Sequence, residues 1–132
     1  MATGDTVLTD ESLTRRPDGL AIGLTVPWYR SLWLSSVSDV AVAVNGHPIP
    51  RDDLRVELAG RTYRVDELPD QWDTLWFIQD RLVVVVPLDE PPAGGADVDV
   101  EATVELRLPY MQIAPMTYVT NRASNRRTLA VR

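Results

Sequence analysis

The sequence predicts an all-β protein, a two-sheet antiparallel β-sandwich of about seven or eight strands. Three observations carry this prediction: apolar and polar residues alternate with a period of two, turn-forming residues separate the alternating runs, and helix signals are few. The chain has 132 residues, which suits one domain. We therefore expect a single sandwich domain over residues 1–132, with its core at about residues 17–108.

In the N-terminal half, alternation predicts strands over residues 20–26 and 40–44. The second run ends at Asn45-Gly46, a dipeptide that is favoured where both turn residues need positive φ. Pro48 follows this turn and limits the return path to a sheet edge, because proline cannot donate a ladder hydrogen bond.

The middle of the chain predicts a second hairpin and an irregular connection. Residues 54–58 and 61–65 are strand-like and flank a turn that contains Gly60. Residues 66–73 are rich in carboxylates, which we interpret as solvated turn residues, and residues 74–78 predict a short strand.

The C-terminal half contains the strongest strand signal, because residues 98–108 alternate strictly between apolar and mostly acidic positions. Residues 82–86 form an unbroken apolar run that predicts a strand covered on both sides, near the middle of the fold. Residues 90–97 predict a flexible hairpin connection. We expect residues 109–120 to form an apolar tail that docks on a partner, and residues 121–132 to form an extension.

Composition excludes several classes of function. Cysteine and lysine are absent, so disulfides, a thiolate nucleophile, a Schiff base and a phosphate-loop lysine are excluded. The net charge of −6 disfavours non-specific binding to nucleic acid. His47, the single histidine, is expected to be an exposed turn residue. With no recognisable catalytic motif, we expect no catalytic residue, metal site or cofactor in this chain.

The sequence also bears on location. It shows no secretory signal and no apolar run of the length that a membrane helix needs, so we expect a cytoplasmic protein that does not bind membranes.

Two segments, residues 27–33 and 110–118, are rich in residue types that are enriched at protein interfaces and on surfaces that bind aromatic ligands. Both segments are too apolar to be solvated loops. We assign Trp76 and Phe77 to the core. The predicted interface residues are Trp28, Tyr29, Arg30, Trp33, Tyr110, Met111 and Met116.

Six short landmarks occur in a fixed order between residues 17 and 120. They are Val26-Pro27-Trp28-Tyr29-Arg30-Ser31, Leu34-Ser35-Ser36-Val37-Ser38-Asp39-Val40, Val42-Ala43-Val44-Asn45-Gly46 with Ile49-Pro50, Tyr63-Arg64-Val65-Asp66-Glu67-Leu68, Trp76-Phe77, and Leu106-Arg107-Leu108-Pro109-Tyr110-Met111. Their order and spacing resemble the small (β) subunit of bacterial C-glycoside deglycosidases. Trp33 departs from the pattern, since the resemblance leads us to expect a smaller residue there, often proline.

The resemblance implies an accessory β-sandwich subunit, inactive alone, in a hetero-oligomeric carbon–carbon lyase. Its partner is expected to be a TIM-barrel α subunit that holds a divalent metal, with manganese as the expected ion, and supplies the acid–base residues. The implied substrate is an aromatic C-glycoside whose sugar C3 is already a ketone, and the implied reaction is elimination of the aglycone. The small subunit is expected to border the aglycone pocket.

Three alternatives remain at this stage. A stand-alone carbohydrate-binding β-sandwich module would be a monomer with measurable sugar affinity. An immunoglobulin-like interaction domain would have a partner that is not a barrel enzyme. A stand-alone hydrolase is disfavoured, because the sequence offers no triad and no usable acid–base pair.

Overall fold

Strands make up nearly all of the regular structure. The computed structural model describes residues 7–9, 12–27, 30–114 and 117–132, and describes residues 108–114 and 117–120 by their backbone. Within these ranges eleven strands form: β1 Leu13–Arg16, β2 Gly19–Leu24, β3 Leu32–Trp33, β4 Val37–Val44, β5 His47–Pro48, β6 Arg55–Leu58, β7 Arg61–Arg64, β8 Leu75–Trp76, β9 Leu82–Pro87, β10 Asp97–Ala114 and β11 Thr117–Ala130. The strand pairs are antiparallel. The all-β prediction is confirmed.

The strands form two main sheets and a small ribbon. One sheet has the order β1-β2-β9-β6-β7, the other has the order β11-β10-β4-β5, and β3 pairs with β8. Buried side chains from both main sheets belong to one hydrophobic core, which is the arrangement of a β-sandwich. The structure has more strands than the predicted seven or eight. Three of them, β3, β5 and β8, contain only two residues each, and the other eight agree with the predicted number.

Alternation places the core on one face of each sheet. In β10, Val98, Val100, Val104 and Leu106 are buried, and the acidic residues between them face outward. The predicted long strand is confirmed, and it continues six residues beyond its expected end at Leu108, to Ala114.

Two tight turns form where the sequence predicts them. Asn45 and Gly46 have φ values of 51° and 80° and connect β4 to β5. Ala59 and Gly60 have φ values of 53° and 78° and connect β6 to β7. Positive φ at both central residues matches the twist of the flanking strands, which is why Asn-Gly is favoured.

The position predicted for residues 82–86 is only partly correct. The strand they form, β9, lies in the centre of the five-stranded sheet, as predicted. Val84 and Val86 are buried, but Val83 and Val85 are half-exposed. The prediction of cover on both sides is therefore wrong, because no further layer packs on the outer face of this sheet within the described residues.

Residues 90–97 do not make the predicted hairpin connection. They join β9, in one sheet, to β10, in the other, so this loop crosses between the two layers. The loop conformation itself agrees with the prediction, since residues 88–96 contain only bends and turns.

The core extends beyond the predicted limits of residues 17–108. Leu8 and Leu13 are buried on the N-terminal side, and Leu129 and Val131 are buried on the C-terminal side. Residues 121–132, expected to be an extension, instead contribute most of β11, which pairs with β10 from end to end. The described part of the chain contains no helix with the length and hydrophobicity that crossing a membrane requires.

The two ends of the described chain are held together by backbone hydrogen bonds. The Arg15 amide donates to the Arg132 carbonyl over 2.8 Å, and the Arg132 amide donates to the Leu13 carbonyl over 3.2 Å. Nearby, the Leu8 amide donates to the Asn125 side-chain oxygen over 2.8 Å. The first and last described segments are therefore hydrogen-bonded to each other.

An ion pair spans the outer face of the five-stranded sheet. Arg16 on β1 makes two hydrogen bonds to the carboxylate of Glu57 on β6, over 2.7 and 2.8 Å. Strands β2 and β9 lie between these two strands. The hydrogen bonds to Arg16 hold the pKa of Glu57 below its usual value, and the same contact raises the pKa of Arg16.

Candidate subunit interface

The β3–β8 ribbon, Leu32–Trp33 paired with Leu75–Trp76, has one buried and one exposed face. Leu32 lies opposite Trp76, and both are buried, whereas Trp33 lies opposite Leu75 and is 51% exposed. Directly opposite residues of an antiparallel pair share a face. The ribbon therefore anchors to the core through one residue pair and presents the other pair outward.

Backbone and side-chain hydrogen bonds hold this ribbon in place. The Leu34 amide donates to the Thr74 carbonyl over 2.8 Å, and the Ile78 amide donates to the Ser31 hydroxyl over 2.8 Å. Beneath the ribbon, the Trp76 indole N–H donates to the Asp80 carbonyl over 3.1 Å. The buried indole is thus fully satisfied, and the exposed face rests on a fixed platform.

The segment before β8 folds as a turn, in agreement with the sequence. It is a 3₁₀ helix over Val65–Asp70, and the Arg64 amide donates to the Glu67 carboxylate at its start over 2.8 Å. Val65 and Leu68 anchor this turn in the core. The carboxylates of Asp66 and Glu67 also lie near Arg64, so this acidic cluster has a structural explanation.

Large apolar side chains are exposed along and beside the ribbon. Besides Trp33, these are Trp72 at 68% exposure, Phe77 at 44% and Ile78 at 48%. The assignment of Phe77 to the core is wrong. Strand β8 ends at Trp76, and Phe77 begins a surface turn that the Asp80 amide closes by donating to the Phe77 carbonyl over 2.9 Å.

A cleft of about 320 Å³ adjoins the ribbon. Leu75 and Phe77 line one side of it, and Tyr63 lines it from the β6–β7 hairpin. Arg61 and Asp73 add a positive and a negative side chain to the lining. The lining therefore mixes aromatic, aliphatic and charged side chains.

The β10–β11 hairpin projects beyond the sandwich. Strand β4 pairs with β10 from Val100 to Leu106. The ladder between β10 and β11 continues past this point, to Ala114 opposite Thr117. We call residues 108–114 with 117–119 the arm, because among the described residues only these two strands form it.

The ribbon and the arm lie at the same end of the sandwich. Leu106, two residues before the arm, lies opposite Val37 on β4. Val37 follows the 3₁₀ helix Leu34–Ser36, which comes directly after Trp33 and contacts β10. The structure therefore brings together two segments that are about 75 residues apart in the sequence.

The predicted interface residues fall into three groups. Trp33 is on the exposed face of the ribbon, and Arg30 is exposed just before it. Tyr110 and Met111 lie within the β10 part of the arm. Trp28, Tyr29 and Met116 lie outside the described residues. Sequence reasoning placed Phe77 in the core and did not select Trp72 or Ile78 as interface residues. Their exposure depends on where the β3–β8 ribbon ends, which no local pattern indicates.

The ionisable groups with shifted pKa values lie in ion pairs away from this end. Besides the pair of Arg16 and Glu57, Arg126 donates two hydrogen bonds to one carboxylate oxygen of Asp99, the shorter over 2.6 Å. This contact lowers the pKa of Asp99 and raises that of Arg126. Each shift has a structural cause in a cross-strand pair.

A β-sandwich that presents an exposed aromatic ribbon and a projecting hairpin at one end has the features of an interaction subunit. The comparisons with known proteins specify which one. A sequence profile of the C-glycoside deglycosidase beta subunit matches residues 6–110, and the chain belongs to this family. Its members are subunits of a deglycosidase, so the chain has a partner subunit in an enzyme complex.

Individual relatives agree with the profile. A C-glycoside deglycosidase beta subunit from Arthrobacter globiformis is 52% identical over 131 residues, which cover 99% of both chains. A 3'-dehydrocarminate deglycosidase beta subunit from a Microbacterium species is 30% identical over 108 residues, which cover 82% of this chain and 80% of the relative. A C-glycoside deglycosidase beta subunit from Microbacterium trichothecenolyticum is 35% identical over 108 residues, which cover 79% of both chains.

Proposed function

We propose that this chain is the accessory, non-catalytic subunit of a carbon–carbon lyase that cleaves 3-keto C-glycosides. Catalysis is assigned to a TIM-barrel α subunit, as the family resemblance implies. The observation that carries the role of this chain is the exposed aromatic pair at the ribbon: Trp33, on its outer face, is 51% exposed, and Phe77, directly after β8, is 44% exposed. Exposed aromatic patches of this kind mark interaction surfaces.

The proposed chemistry is an elimination that needs no further oxidant. A ketone at sugar C3 acidifies the proton on C2, and a base of the large subunit removes it. The electron pair then forms the C1–C2 double bond, the bond from C1 to the aglycone carbon breaks, and that carbon receives a proton. The sugar leaves as an anhydro-enone. A divalent metal in the large subunit, with manganese as the expected ion, would stabilise negative charge on the C3 oxygen.

The proposed substrate class has support from a relative. One curated relative is named as a deglycosidase of 3'-dehydrocarminate, and the prefix 3'-dehydro denotes oxidation at that sugar position. The proposed role of this chain is to complete the aglycone pocket. A flat aromatic aglycone stacks on tryptophan and phenylalanine faces. Trp33 of the ribbon and Phe77 directly after it are both exposed, and Phe77 lines the cleft together with Leu75.

The test is reconstitution with the large subunit. The chain, the large subunit and their mixture are each incubated with a 3-keto C-glycoside and with the same C-glycoside before oxidation, and aglycone release is followed by absorbance. We expect release from the keto substrate by the mixture alone. Release by the isolated chain, or equal release from the unoxidised glycoside, would contradict the proposal.

The exposed tryptophans Trp33 and Trp72 also suit a second candidate function, a sugar-stacking platform that works without a partner. Titration calorimetry of the isolated chain with glucose and with the C-glycosides distinguishes the two functions. Sugar binding by a chain that forms no complex with the large subunit would favour the carbohydrate-binding module.

A further inference from the structure

Within the described residues, no third strand pairs with the arm, unlike the rest of its hairpin. From Val100 to Leu106, β10 lies between β4 and β11, and its buried residues join the core. Beyond Leu106, the described backbone continues as two strands alone. A two-stranded hairpin is at best marginally stable in water, and three strands or a packed face are needed for independent stability. An arm that extends eight residues of β10 past the sheet therefore needs a surface to cover it.

The composition of the arm specifies what kind of surface this is. No charged residue occurs between Arg107 and Arg122, and this is the longest uncharged run in the sequence. The run contains two tyrosines, two methionines and several aliphatic residues. The cores of protein interfaces are depleted of charge and enriched in these residue types. The arm is thus suited to an apolar, uncharged cleft and not to an acidic or basic surface.

The backbone of the arm disfavours docking by addition of another strand. The register shifts between Leu108 and Gln112 and again between Gln112 and Ala114. Pro109 lies in the first irregular stretch and has no amide hydrogen to donate. Bulges and prolines are the devices that keep a sheet edge from pairing with another strand. The binding mode is therefore insertion into a cleft.

A large subunit fits this surface better than a second copy does. Each copy of the chain carries a net charge of −6, so self-association brings like charges together. A hetero-partner does not have this restriction, and the family of the chain is that of one subunit of a larger enzyme, so such a partner exists.

We propose that the arm inserts into an apolar, uncharged cleft of the large subunit, and that this insertion holds the two subunits together. The proposal rests on the proposed function, since it requires a deglycosidase large subunit as the binding partner of the arm. The juxtaposition of the arm with the ribbon at one end of the sandwich places both against the same partner.

A shortened variant tests the proposal directly. Residues 108–119 are replaced by Asn-Gly, which joins Arg107 to Thr120 at a position where these two residues already lie opposite each other. Asn-Gly suits a two-residue hairpin turn, and the whole β4–β10 pairing remains. The control is Ala93→Ser, a change in the exposed loop between β9 and β10.

Assembly with the co-expressed large subunit is measured by analytical ultracentrifugation and by cleavage of a 3-keto C-glycoside. We expect the shortened chain to keep its fold and to bind the large subunit about 100-fold more weakly or not at all, as removal of a cluster of buried aromatic anchors does. If the parent assembles and the shortened chain assembles equally well, the arm proposal fails while the proposed function stands. If the parent itself neither assembles nor contributes to cleavage, both fail. A parent dimer that the shortening converts to a monomer, with no change in binding to the large subunit, would assign the arm to self-association and overturn the proposal.

Hydrogen exchange of the full-length chain tests the arm without any variant. We expect the amides of the arm to exchange at least about 10-fold more slowly once the large subunit binds, because an ordered and covered backbone is protected. Amides of Val100, Ala102 and Val104, which are already buried, serve as the internal reference. Unchanged exchange throughout the arm in the complex would overturn the proposal even if the shortened variant failed to fold.

Discussion

The two halves of the β10–β11 hairpin share a ladder but differ in almost everything else. The half from Asp97 to Leu106 packs on β4, buries its alternate residues, and carries cross-strand ion pairs such as Arg126 with Asp99. The arm, residues 108–114 with 117–119, has no third strand in the described structure and no charged residue.

This difference separates residues that fold the domain from residues that are available for binding. In the first half, the polar face is wet and charged, and stability comes from the core beneath it. In the arm, the sequence stays apolar and uncharged, while the described pairing with β4 stops at Leu106. A similar division holds at the ribbon, where Trp76 is buried and the next residue, Phe77, is exposed.

The largest expected effect is on the folding half. Val104 is fully buried in the core, and Val104→Asp places an unpaired carboxylate there. We expect a loss of about 4 kcal/mol or more in the free energy of unfolding, measured by urea denaturation. The control is Val83→Asp on the half-exposed outer face, with an expected loss below about 1.5 kcal/mol. Similar losses of stability in both variants would contradict the assignment of Val104 to the core and of Val83 to the outer face.

Adjacent aromatic residues sharpen the same distinction within the ribbon. Trp76→Ala removes a fully buried indole and is expected to reduce the free energy of unfolding by about 3–5 kcal/mol. Phe77→Ala is expected to cost less than about 1 kcal/mol in stability, because the side chain is 44% exposed. Instead, it should weaken assembly or raise the KM for the aromatic substrate. Equal destabilisation by the two changes would place Phe77 in the core after all.

Within the arm, we expect Tyr110→Ala to weaken binding to the large subunit by about 10-fold and to leave the melting temperature of the isolated chain unchanged. The control is Thr128→Ala on the exposed face of β11, at the far end of the same hairpin. Arg30→Ala is expected to act in the same direction. The prediction is contradicted if complex mass and activity are unchanged in both Tyr110→Ala and Arg30→Ala.

The smallest effect concerns the ion pair on the outer sheet face. Because Arg16 lowers the pKa of Glu57, the pair stabilises the fold above the unfolded pKa of about 4.5 and this contribution is lost as the pH falls through the lowered folded value. Both side chains are about one-third exposed, so we expect Glu57→Gln to cost only about 0.5–1 kcal/mol at pH 7. The cost should shrink as the pH falls below about 4. Glu90→Gln, in an exposed loop, is the control, and a cost independent of pH would exclude this origin.

The strongly patterned parts of the fold were predictable because their signal is local. Strict alternation from Val98 to Leu106 fixes both the strand and its buried face, and Asn45-Gly46 fixes a turn. The family resemblance was also accessible, since its landmarks are spread over most of the chain and the profile matches residues 6–110.

Strand β11 and the exposed side of the ribbon were missed because their signals are not local. Among the β11 side chains from residue 121 onward, Ala123 and Leu129 are buried, and polar residues occupy positions on both faces, so the sequence shows no clear alternation. Its arginines become informative only in register, where Arg122 lies opposite Glu105. The exposure of Phe77 likewise depends on the inward anchoring of Trp76, which requires the position of β3.

The backbone bonds between Arg132 and the β1 residues Leu13 and Arg15 determine when this domain finishes folding. In a nascent chain that emerges from the ribosome in order, β1 can pair with β2 early, but the outer edge of β1 lacks its hydrogen bonds until the segment around residue 132 follows. Contacts between residues so far apart in sequence slow folding, because the loop must close before any of them form. The arm is synthesised before that closure, so its uncharged surface is exposed for the whole waiting period. Production together with the large subunit should therefore raise the yield of native chain, by covering a segment that is otherwise prone to aggregation.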